Sequence, residues 1–282
     1  MVELNNGTRM PLVGLGTAKA KESVAYNAVL SALEIGYRHI DTAAGYDNEE
    51  EIGRAIRDSG VAREEIFVTT KLRGTEHRDP ESALEKSLER LGLNYVDLFL
   101  VHWPVPLDPN GETDNGWDLI DTWAKMEKLT KTRSIGVSNC SIKTLEHLLP
   151  HCRVVPAVNQ IELHPRLKQG DLVAYCKSKG IVVTAYCPLG ARVLQLREDP
   201  IICAIAEKHG VSSSQILIAW AIARGTTLVP KSTNKERQKF NFTLMDNLPQ
   251  EDMDTINSLE HTLGQQRICS APSSWNVDVF AS

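Results

Sequence analysis

The chain has 282 residues, 42% of them hydrophobic and 24% charged, so it is long enough for a large core in one sizeable α/β domain or two smaller ones. Its net charge of −5 provides no basic footprint for nucleic acid or an anionic membrane, and no apolar run is long enough to span a membrane. The N-terminus lacks the pattern of a secretory signal, and we expect a cytoplasmic protein without nucleic-acid or membrane partners.

The chain begins with a segment that has the turn chemistry of a β-hairpin, "VELNNGTRMPLV", with "NNGT" at the turn. Eight short apolar runs rich in Val, Ile, Leu and Thr follow, and each predicts a buried strand. In chain order they are "PLVGLGT", "YRHIDTA", "EIFVTTK", "VDLFLVH", "RSIGVSN", "AVNQIEL", "GIVVTAYCPLG" and "TTLVPKS".

Segments with helical spacing lie between most of these strands. Such a segment precedes the second strand (Val24, Ala28 and Leu33) and the fourth strand (Leu84, Leu88 and Leu91). Another precedes the fifth strand (Trp123 and Met126), and another the eighth (Ile216, Trp220 and Ile222). Alternation of helices with strands buried on both faces predicts a parallel sheet, and eight such units favour a closed (β/α)8 TIM barrel. We expect the N-terminal hairpin to plug its bottom. No linker interrupts the alternation, so residues 1–282 are predicted to form one domain.

An open, doubly wound sheet is the alternative architecture. Gly14 and Gly16 form a GxG pair, but the third glycine of the dinucleotide fingerprint would fall at Lys19. The closed barrel is therefore favoured.

Polar residues follow the apolar runs at the predicted carboxyl ends of seven strands, where barrels gather their chemistry. These residues are Asp41, Lys71, His102, Ser138 with Asn139, Gln160, Tyr186 and Lys231. Each alone has a structural explanation, such as a turn cap, a lysine with its head in solvent or a core histidine. Together they would place an acidic group, a basic group and a histidine, whose charge can change, around the mouth of the barrel.

No metal site is predicted. His102 is the only histidine among the strand ends, so a metal-dependent hydrolase lacks its ligand cluster. His147 and His151 are four residues apart but lack an HExxH pattern, and Pro150 interrupts the helix. The six cysteines have neither CxxC spacing nor a regular framework, and we expect reduced thiols.

The ordered motifs "GYRHIDTAAGYDNEEEIG", "VTTKL", "LFLVHWP", "SIGVSN", "AVNQIELHP", "AYCPLG" and "LVPKSTNKER" resemble those of the aldo-keto reductase superfamily. The resemblance runs from the first barrel strand to past Arg237. It implies a TIM barrel that binds a nicotinamide cofactor, usually NADPH, in extended form across the mouth. At the positions matching the family tetrad the chain has Asp41, Tyr46, Lys71 and His102.

These four residue types suit the reduction of a carbonyl group. A carbonyl that accepts hydride develops alkoxide charge and needs a proton donor, but a tyrosine with a pKa of about 10 donates poorly at neutral pH. Lys71 would lower that pKa, and Asp41 would keep the lysine charged in a dry site. His102 would then donate to the carbonyl oxygen and orient it.

The resemblance also implies residues for the cofactor. Ser138, Asn139 and Gln160 would hold the nicotinamide carboxamide, Tyr186 would stack on the ring, and backbone groups around Leu189 would meet the pyrophosphate.

The last motif would hold the adenosine end of the cofactor. Lys231, Ser232 and Arg237 match the positions that bind the 2′-phosphate, and two cations with a hydroxyl suit a phosphate dianion. Asn241 matches the adenine contact, but Phe240 precedes it where the family often has an acidic residue. This departure predicts an apolar contact with adenine.

We expect a monomeric carbonyl reductase that acts on small molecules. Trp103, Trp117 and Trp275 predict apolar walls, and Ala18 lies where many relatives carry a large aromatic residue, which leaves room for a bulkier carbonyl compound. The loops that build this pocket vary most in such folds. A nicotinamide-binding sensor or structural subunit on the same fold is the alternative, because fold does not settle function.

Overall fold

A closed parallel barrel forms the centre of the protein in a computed structural model that describes residues 1–191, 193–245 and 247–280. Arg192 of a predicted substrate loop and the end of the predicted domain at Ser282 lie outside the described residues. An antiparallel hairpin comes first, from β1 (Val2–Glu3) and β2 (Arg9–Met10). The barrel strands are β3 (Leu15–Gly16), β4 (His39–Asp41), β5 (Phe67–Leu72), β6 (Val96–Val101), β7 (Thr132–Ser138), β8 (Val158–Glu162), β9 (Val182–Tyr186) and β10 (Thr227–Leu228). Each pairs in parallel with the next along the chain.

The first and last barrel strands meet and close the sheet. Val13 forms a parallel bridge with Leu228, and the Leu228 amide donates to the Leu12 carbonyl at 2.8 Å. The closure needs a glycine in β3, because a Cβ on Gly16 would lie 2.6 Å from the Val229 carbonyl oxygen. The predicted TIM barrel is confirmed, and the open sheet is excluded.

Ten helices of the described chain surround the barrel. They are α1 (Glu22–Ile35), α2 (Glu49–Asp58), α3 (Pro80–Leu91), α4 (Leu119–Met126), α5 (Ile142–Leu148), α6 (Gly170–Ser178), α7 (Pro200–His209), α8 (Ser213–Ala223), α9 (Lys235–Phe242) and α10 (Gln250–Leu263). Several of them begin at a side-chain cap. At α3, for example, the Asp79 side chain accepts from the Ser82 amide, and Pro80 lies in the first turn. Two helices, α7 and α8, separate β9 from β10. No helix in this part of the chain is long and apolar enough to cross a membrane.

The main core lies between the strands and the helices. Apolar strand residues such as Ile40, Val68 and Phe99 are fully buried there with helix residues such as Val29 and Trp123. Burial of such side chains stabilises the fold by roughly 1.5–3 kcal/mol each. Every strand is thus covered on its outer face, as the continuous apolar runs predict.

The N-terminal hairpin covers one end of the barrel. Leu4 and Met10 are buried in a separate apolar cluster with Phe67, Leu98 and Val158. Phe67 and Val158 begin their strands, so the hairpin lies at the amino ends. The predicted plug is confirmed, and the carboxyl ends of the strands remain open for a site.

Candidate active site

A buried ion pair lies at the carboxyl ends of β4 and β5. The Lys71 ammonium donates to Asp41 Oδ1 and to the Thr42 carbonyl, both at 2.7 Å, and the Gln160 amide donates to Asp41 Oδ2 at 2.7 Å. Burial lowers the pKa of Lys71, but the charge of Asp41 and the hydrogen bonds to Asp41 and Tyr46 outweigh it and raise the pKa above its ordinary value. Lys71 therefore stays charged in a site that excludes water.

Tyr46 lies above this pair because the chain turns sharply after β4. Residues Ala44–Tyr46 form a 3-10 turn, and Arg73 donates to the Ala44 carbonyl and to the Asp47 carboxylate. The Asn48 amide donates to the Thr17 carbonyl at 3.0 Å. These contacts tie the turn to β3 and β5 and hold the phenol over the barrel mouth.

The phenol of Tyr46 contacts both Lys71 and His102. The Lys71 nitrogen lies 5.0 Å from the Tyr46 ring centroid, and the Tyr46 and His102 rings meet edge to face with centroids 5.5 Å apart. Burial, the largest effect, raises the pKa of Tyr46. The charge of Lys71 lowers this pKa and that of Asp41 raises it, so the pKa of Tyr46 lies above its ordinary value. The tyrosine is therefore protonated at neutral pH, although Lys71 acts in the predicted direction.

His102 follows β6 and is neutral. Burial lowers its pKa to about 3, and the charges of Lys71 and Arg73 act in the same direction. A neutral imidazole keeps one N–H to donate and carries no charge that would compete with Lys71. The four predicted catalytic side chains thus surround one point at the mouth.

Four polar residues line the part of the mouth at the ends of β7, β8 and β9. Asn139 has a φ of 61° and donates to the His102 carbonyl at 2.9 Å, while the Tyr186 hydroxyl donates to Asn139 Oδ1 at 2.7 Å. Ser138 donates to the Gln160 carbonyl at 2.7 Å. The side-chain nitrogen of Gln160 already donates to Asp41. The Oε1 atom of Gln160 is therefore the atom that can accept a hydrogen bond from a ligand.

A cleft of about 380 Å³ lies on the surface between α9 and the loop after β9. It is lined by Arg237 of α9 and by four residues of the loop after β9, Ala191, Gln195, Arg197 and Glu198. This loop begins with a turn that contains Leu189, which is half-buried and packed against the core. Two cationic side chains, Arg197 and Arg237, line this cleft.

The residues before and within α9 differ in exposure. Lys231 and Arg237 are exposed, while Ser232 is buried and its hydroxyl exchanges hydrogen bonds with the backbone of Asn234 at 3.2 Å. Asn241 is 3% exposed and Phe240 is 51% exposed. Phe240 rather than Asn241 therefore presents its side chain at this surface.

An aromatic wall stands beside His102. The Trp103 ring lies edge to face with Trp275, with centroids 5.7 Å apart, and 6.0 Å from Phe280. The Thr113 hydroxyl donates to the Trp275 carbonyl at 2.6 Å and fastens the C-terminal tail to the loop after β6. Trp117, predicted as a further wall, instead packs against the Arg78 guanidinium and the Lys125 ammonium and is not part of this cluster.

Comparison with known proteins decides the family. The sequence model of the aldo/keto reductase family matches residues 12–261. The chain belongs to this family. It is an NADPH-dependent oxidoreductase, as predicted, and the match includes every barrel strand.

Individual aldo/keto reductases match along nearly their whole length. The yeast aldehyde reductase YPR1 of Saccharomyces cerevisiae is 48% identical over 95% of this chain and 93% of its own. The glycerol 2-dehydrogenase (NADP(+)) of the same yeast is 46% identical, with the same coverage. The structure of a Bombyx mori aldo-keto reductase in complex with NADP has a TM-score of 0.86 at 42% identity, covering 91% of each chain. The aldose reductase of Schistosoma japonicum has a TM-score of 0.89 at 38% identity, covering 95% of this chain and 93% of its own.

The chemistry of the mouth and cleft fits the cofactor of this aldo/keto reductase. A carboxamide needs amide and hydroxyl partners, and the mouth carries these groups on Asn139, Gln160 and Ser138. A phosphate needs cations, and Arg197 and Arg237 line the cleft. Within the described residues, no cluster of three or more His, Cys, Asp or Glu side chains could hold a metal ion.

Glu162 is a residue of the site that sequence reasoning missed. It is fully buried in β8, and its carboxylate accepts from the Ile268 and Cys269 amides at 2.6 and 2.7 Å and from His164 at 2.9 Å. It thereby anchors the C-terminal tail at the mouth. Its position two residues after Gln160 could have revealed it, because alternate residues of a strand share one face.

Proposed function

We propose that the protein reduces the aldehyde or ketone group of small molecules to an alcohol, with Tyr46 as the general acid. The observation that carries this proposal is the Tyr46 ring packed against the buried Lys71–Asp41 ion pair, with the His102 ring beside it. The similarity to the yeast aldehyde reductase supports the same reaction class.

The tyrosine and the lysine would act together. When bound, NADPH supplies the hydride that the carbonyl carbon accepts. Tyr46 would give its proton to the carbonyl oxygen as negative charge develops there, and the Lys71 ammonium would stabilise the phenolate that remains. Asp41 would keep Lys71 charged throughout, because an unpaired buried ammonium tends to lose its proton. Solvent at the mouth would then return a proton to Tyr46.

His102 would position the substrate. Its neutral imidazole can donate one hydrogen bond to the carbonyl oxygen, next to the phenol that protonates the same atom. The aromatic wall of Trp103, Trp275 and Phe280 would exclude water from the other side of the substrate. Aldehydes and ketones with an apolar or aromatic substituent are the class that this wall favours.

The cofactor would lie from the mouth along the cleft. Ser138, Asn139 and Gln160 would hold the carboxamide, and Tyr186 would stack on the nicotinamide ring. Backbone groups around Leu189 would meet the pyrophosphate.

The adenosine end would lie against the start of α9. Lys231, Ser232 and Arg237 would bind the 2′-phosphate. The exposed ring of Phe240 would contact adenine, in place of the polar contact expected from Asn241.

A steady-state assay tests the reaction class. NADPH absorbance should fall when the protein is mixed with aromatic aldehydes, aliphatic aldehydes, α-diketones or keto-lactones, and the alcohol should accumulate in equal amount. NADPH binding without turnover of any of these carbonyl classes would favour the sensor or structural subunit instead. A single 1–282 domain, a monomeric state and a cytoplasmic location stay predictions.

A further inference from the structure

A fully buried carboxylate attaches the C-terminal tail to the barrel mouth. Glu162 ends β8 and is 0% exposed. One of its oxygens accepts from the Ile268 amide at 2.6 Å, and the other accepts from the Cys269 amide at 2.7 Å. His164, which is also buried, lies 2.9 Å from the oxygen that Ile268 uses. A buried carboxylate is strongly destabilised when it loses its donors, so this contact holds the tail backbone in one place.

The anchored backbone supports the aromatic wall. Arg267 directly precedes the two anchored amides, and its guanidinium lies over the Phe280 ring, 3.6 Å from the centroid. The Phe280 ring in turn lies 6.0 Å from the ring of Trp103, which follows His102. A cation over an aromatic face is attracted to it. The position of Phe280 therefore depends on where the anchor holds the backbone beside Arg267.

The contact with Glu162 differs from two other attachments of the tail. Before it, the Gln266 amide donates to the Arg166 carbonyl at 2.9 Å, and after it, the Thr113 hydroxyl donates to the Trp275 carbonyl at 2.6 Å. Arg166 and Thr113 lie in loops, whereas Glu162 belongs to a strand of the barrel. Strands of a core are more rigid than loops, so Glu162 fixes the tail relative to the residues at the strand ends.

We propose that Glu162 is a positioning residue that holds the aromatic wall in place and thereby sets the preference for aromatic over small aliphatic aldehydes. This inference rests on the proposed reduction of carbonyl groups. Glu162 acts through the tail backbone and takes no part in proton transfer from Tyr46. Loosening the wall therefore weakens the binding of a substrate that reaches it and raises KM, while kcat is kept.

Glu162→Gln is the variant that tests this role with the smallest change of shape. Glutamine replaces one carboxylate oxygen by an NH₂ group, which is a donor. The Ile268 and Cys269 amides use different oxygens of Glu162, so a tail N–H faces another donor in either orientation of the glutamine. The substitution thus breaks a hydrogen bond to the tail and leaves no cavity.

Glu127→Gln is the matched control. Glu127 follows α4, and its Oε1 atom accepts from the Arg153 and Val154 amides at 2.7 and 2.8 Å. These amides precede β8, so they lie toward the end of the strand opposite Glu162. Both use one oxygen, and a glutamine can keep both hydrogen bonds. The control therefore removes the charge of a carboxylate that holds two backbone amides and leaves the mouth unchanged.

The test measures kcat and KM of the full chain for benzaldehyde and propanal with NADPH. Hydrogen–deuterium exchange followed by mass spectrometry reports the protection of tail residues 264–280, and quenching of protein fluorescence reports NADPH affinity. Phe280→Ala, alone and combined with Glu162→Gln, examines whether both residues act through the same wall. Circular dichroism of each variant establishes that it is folded.

Glu162→Gln should exchange the tail amides faster than the wild type and Glu127→Gln. Its KM for benzaldehyde should rise by about tenfold or more, the size of a lost apolar contact in a pocket. The KM for propanal, both kcat values and NADPH affinity should change by less than a few fold. Phe280→Ala should raise the KM for benzaldehyde as well, and the double variant should raise it no further.

An equal rise of KM for both aldehydes, or additive effects in the double variant, would overturn the proposal. A Glu162→Gln variant that does not fold or that loses NADPH binding would show that the residue supports the barrel, which also overturns it. A wild type that reduces neither aldehyde would refute the proposed function and with it the role in specificity. The exchange measurement would still show whether Glu162 holds the tail.

Discussion

Replacing Lys71 by methionine isolates the buried charge on which the proposed chemistry depends. Lys71 is 0% exposed and Asp41 is 2% exposed. The variant leaves the Asp41 carboxylate buried with its hydrogen bond from Gln160 but without its counter-charge. Removing one partner of a buried ion pair costs about 3–5 kcal/mol, so we expect the free energy of unfolding to fall by about that amount.

Loss of activity should have a separate cause. Without the ammonium, the phenolate of Tyr46 is not stabilised, and the pKa of Tyr46 rises because Lys71 is the group that lowers it. General acid catalysis contributes about 10²–10⁴-fold, so kcat should fall by about a hundredfold or more. The double variant Lys71→Met with Asp41→Asn removes the uncompensated charge as well. It should regain most of the stability and none of the activity.

Urea unfolding followed by fluorescence measures the first effect, and NADPH absorbance with a reactive aldehyde measures the second. NADPH binding, followed by quenching of protein fluorescence, checks that the cofactor site is intact. A stability loss below about 1 kcal/mol, the size expected of an exposed pair, would refute the account of the buried charge. A single variant that retained wild-type kcat would remove Lys71 from the mechanism.

Three further outcomes are expected. Tyr46→Phe should lower kcat by about a hundredfold or more while NADPH affinity is kept, because the ring stays and the proton donor is lost; a variant within a few fold of wild type would contradict this role. Arg237→Ala should weaken NADPH binding by about 1.5–3 kcal/mol and hardly change NADH binding. Lys239→Ala, an exposed cation on the same helix, is its control, and equal losses for both cofactors would show that Arg237 does not read the phosphate. The free energy of unfolding should fall as pH decreases from 6.5 to about 4, because burial lowers the pKa of His39 and of His77 to about 4 and only the unfolded chain then binds their protons. The slope should approach about 1.4 kcal/mol per pH unit for each histidine in urea titrations across this range, and a flat profile would contradict the burial of neutral imidazoles.

The barrel and the set of strand-end residues could be predicted because both depend on local patterns. An apolar run followed by one polar residue marks where a buried strand reaches the mouth, as at Asp41, Lys71 and His102. Once the strands are parallel, their carboxyl ends meet at one face, so these residues become neighbours without further information. The resemblance then supplied Tyr46, which follows its strand by five residues.

The balance of charges at the mouth could not be predicted from residue types. The sequence argument expected Lys71 to lower the pKa of Tyr46, and it does, but burial raises that pKa by more. Burial depends on how many atoms surround the ring after folding, which no local pattern records. The same reason applies to His102, whose neutral state is set by burial and two cations.

The sequence by itself determined the order of strands and helices, the polar residue at each strand end and the family motifs, because periodicity and turn chemistry act over a few neighbouring residues. Only the tertiary structure decided which distant residues meet. Glu162 accepts hydrogen bonds from the backbone amides of Ile268 and Cys269, across more than a hundred residues of chain, and these contacts hold the C-terminal tail at the mouth. Such a meeting depends on the path of the tail over the closed barrel, and the tail's own sequence carries no periodic signal for it.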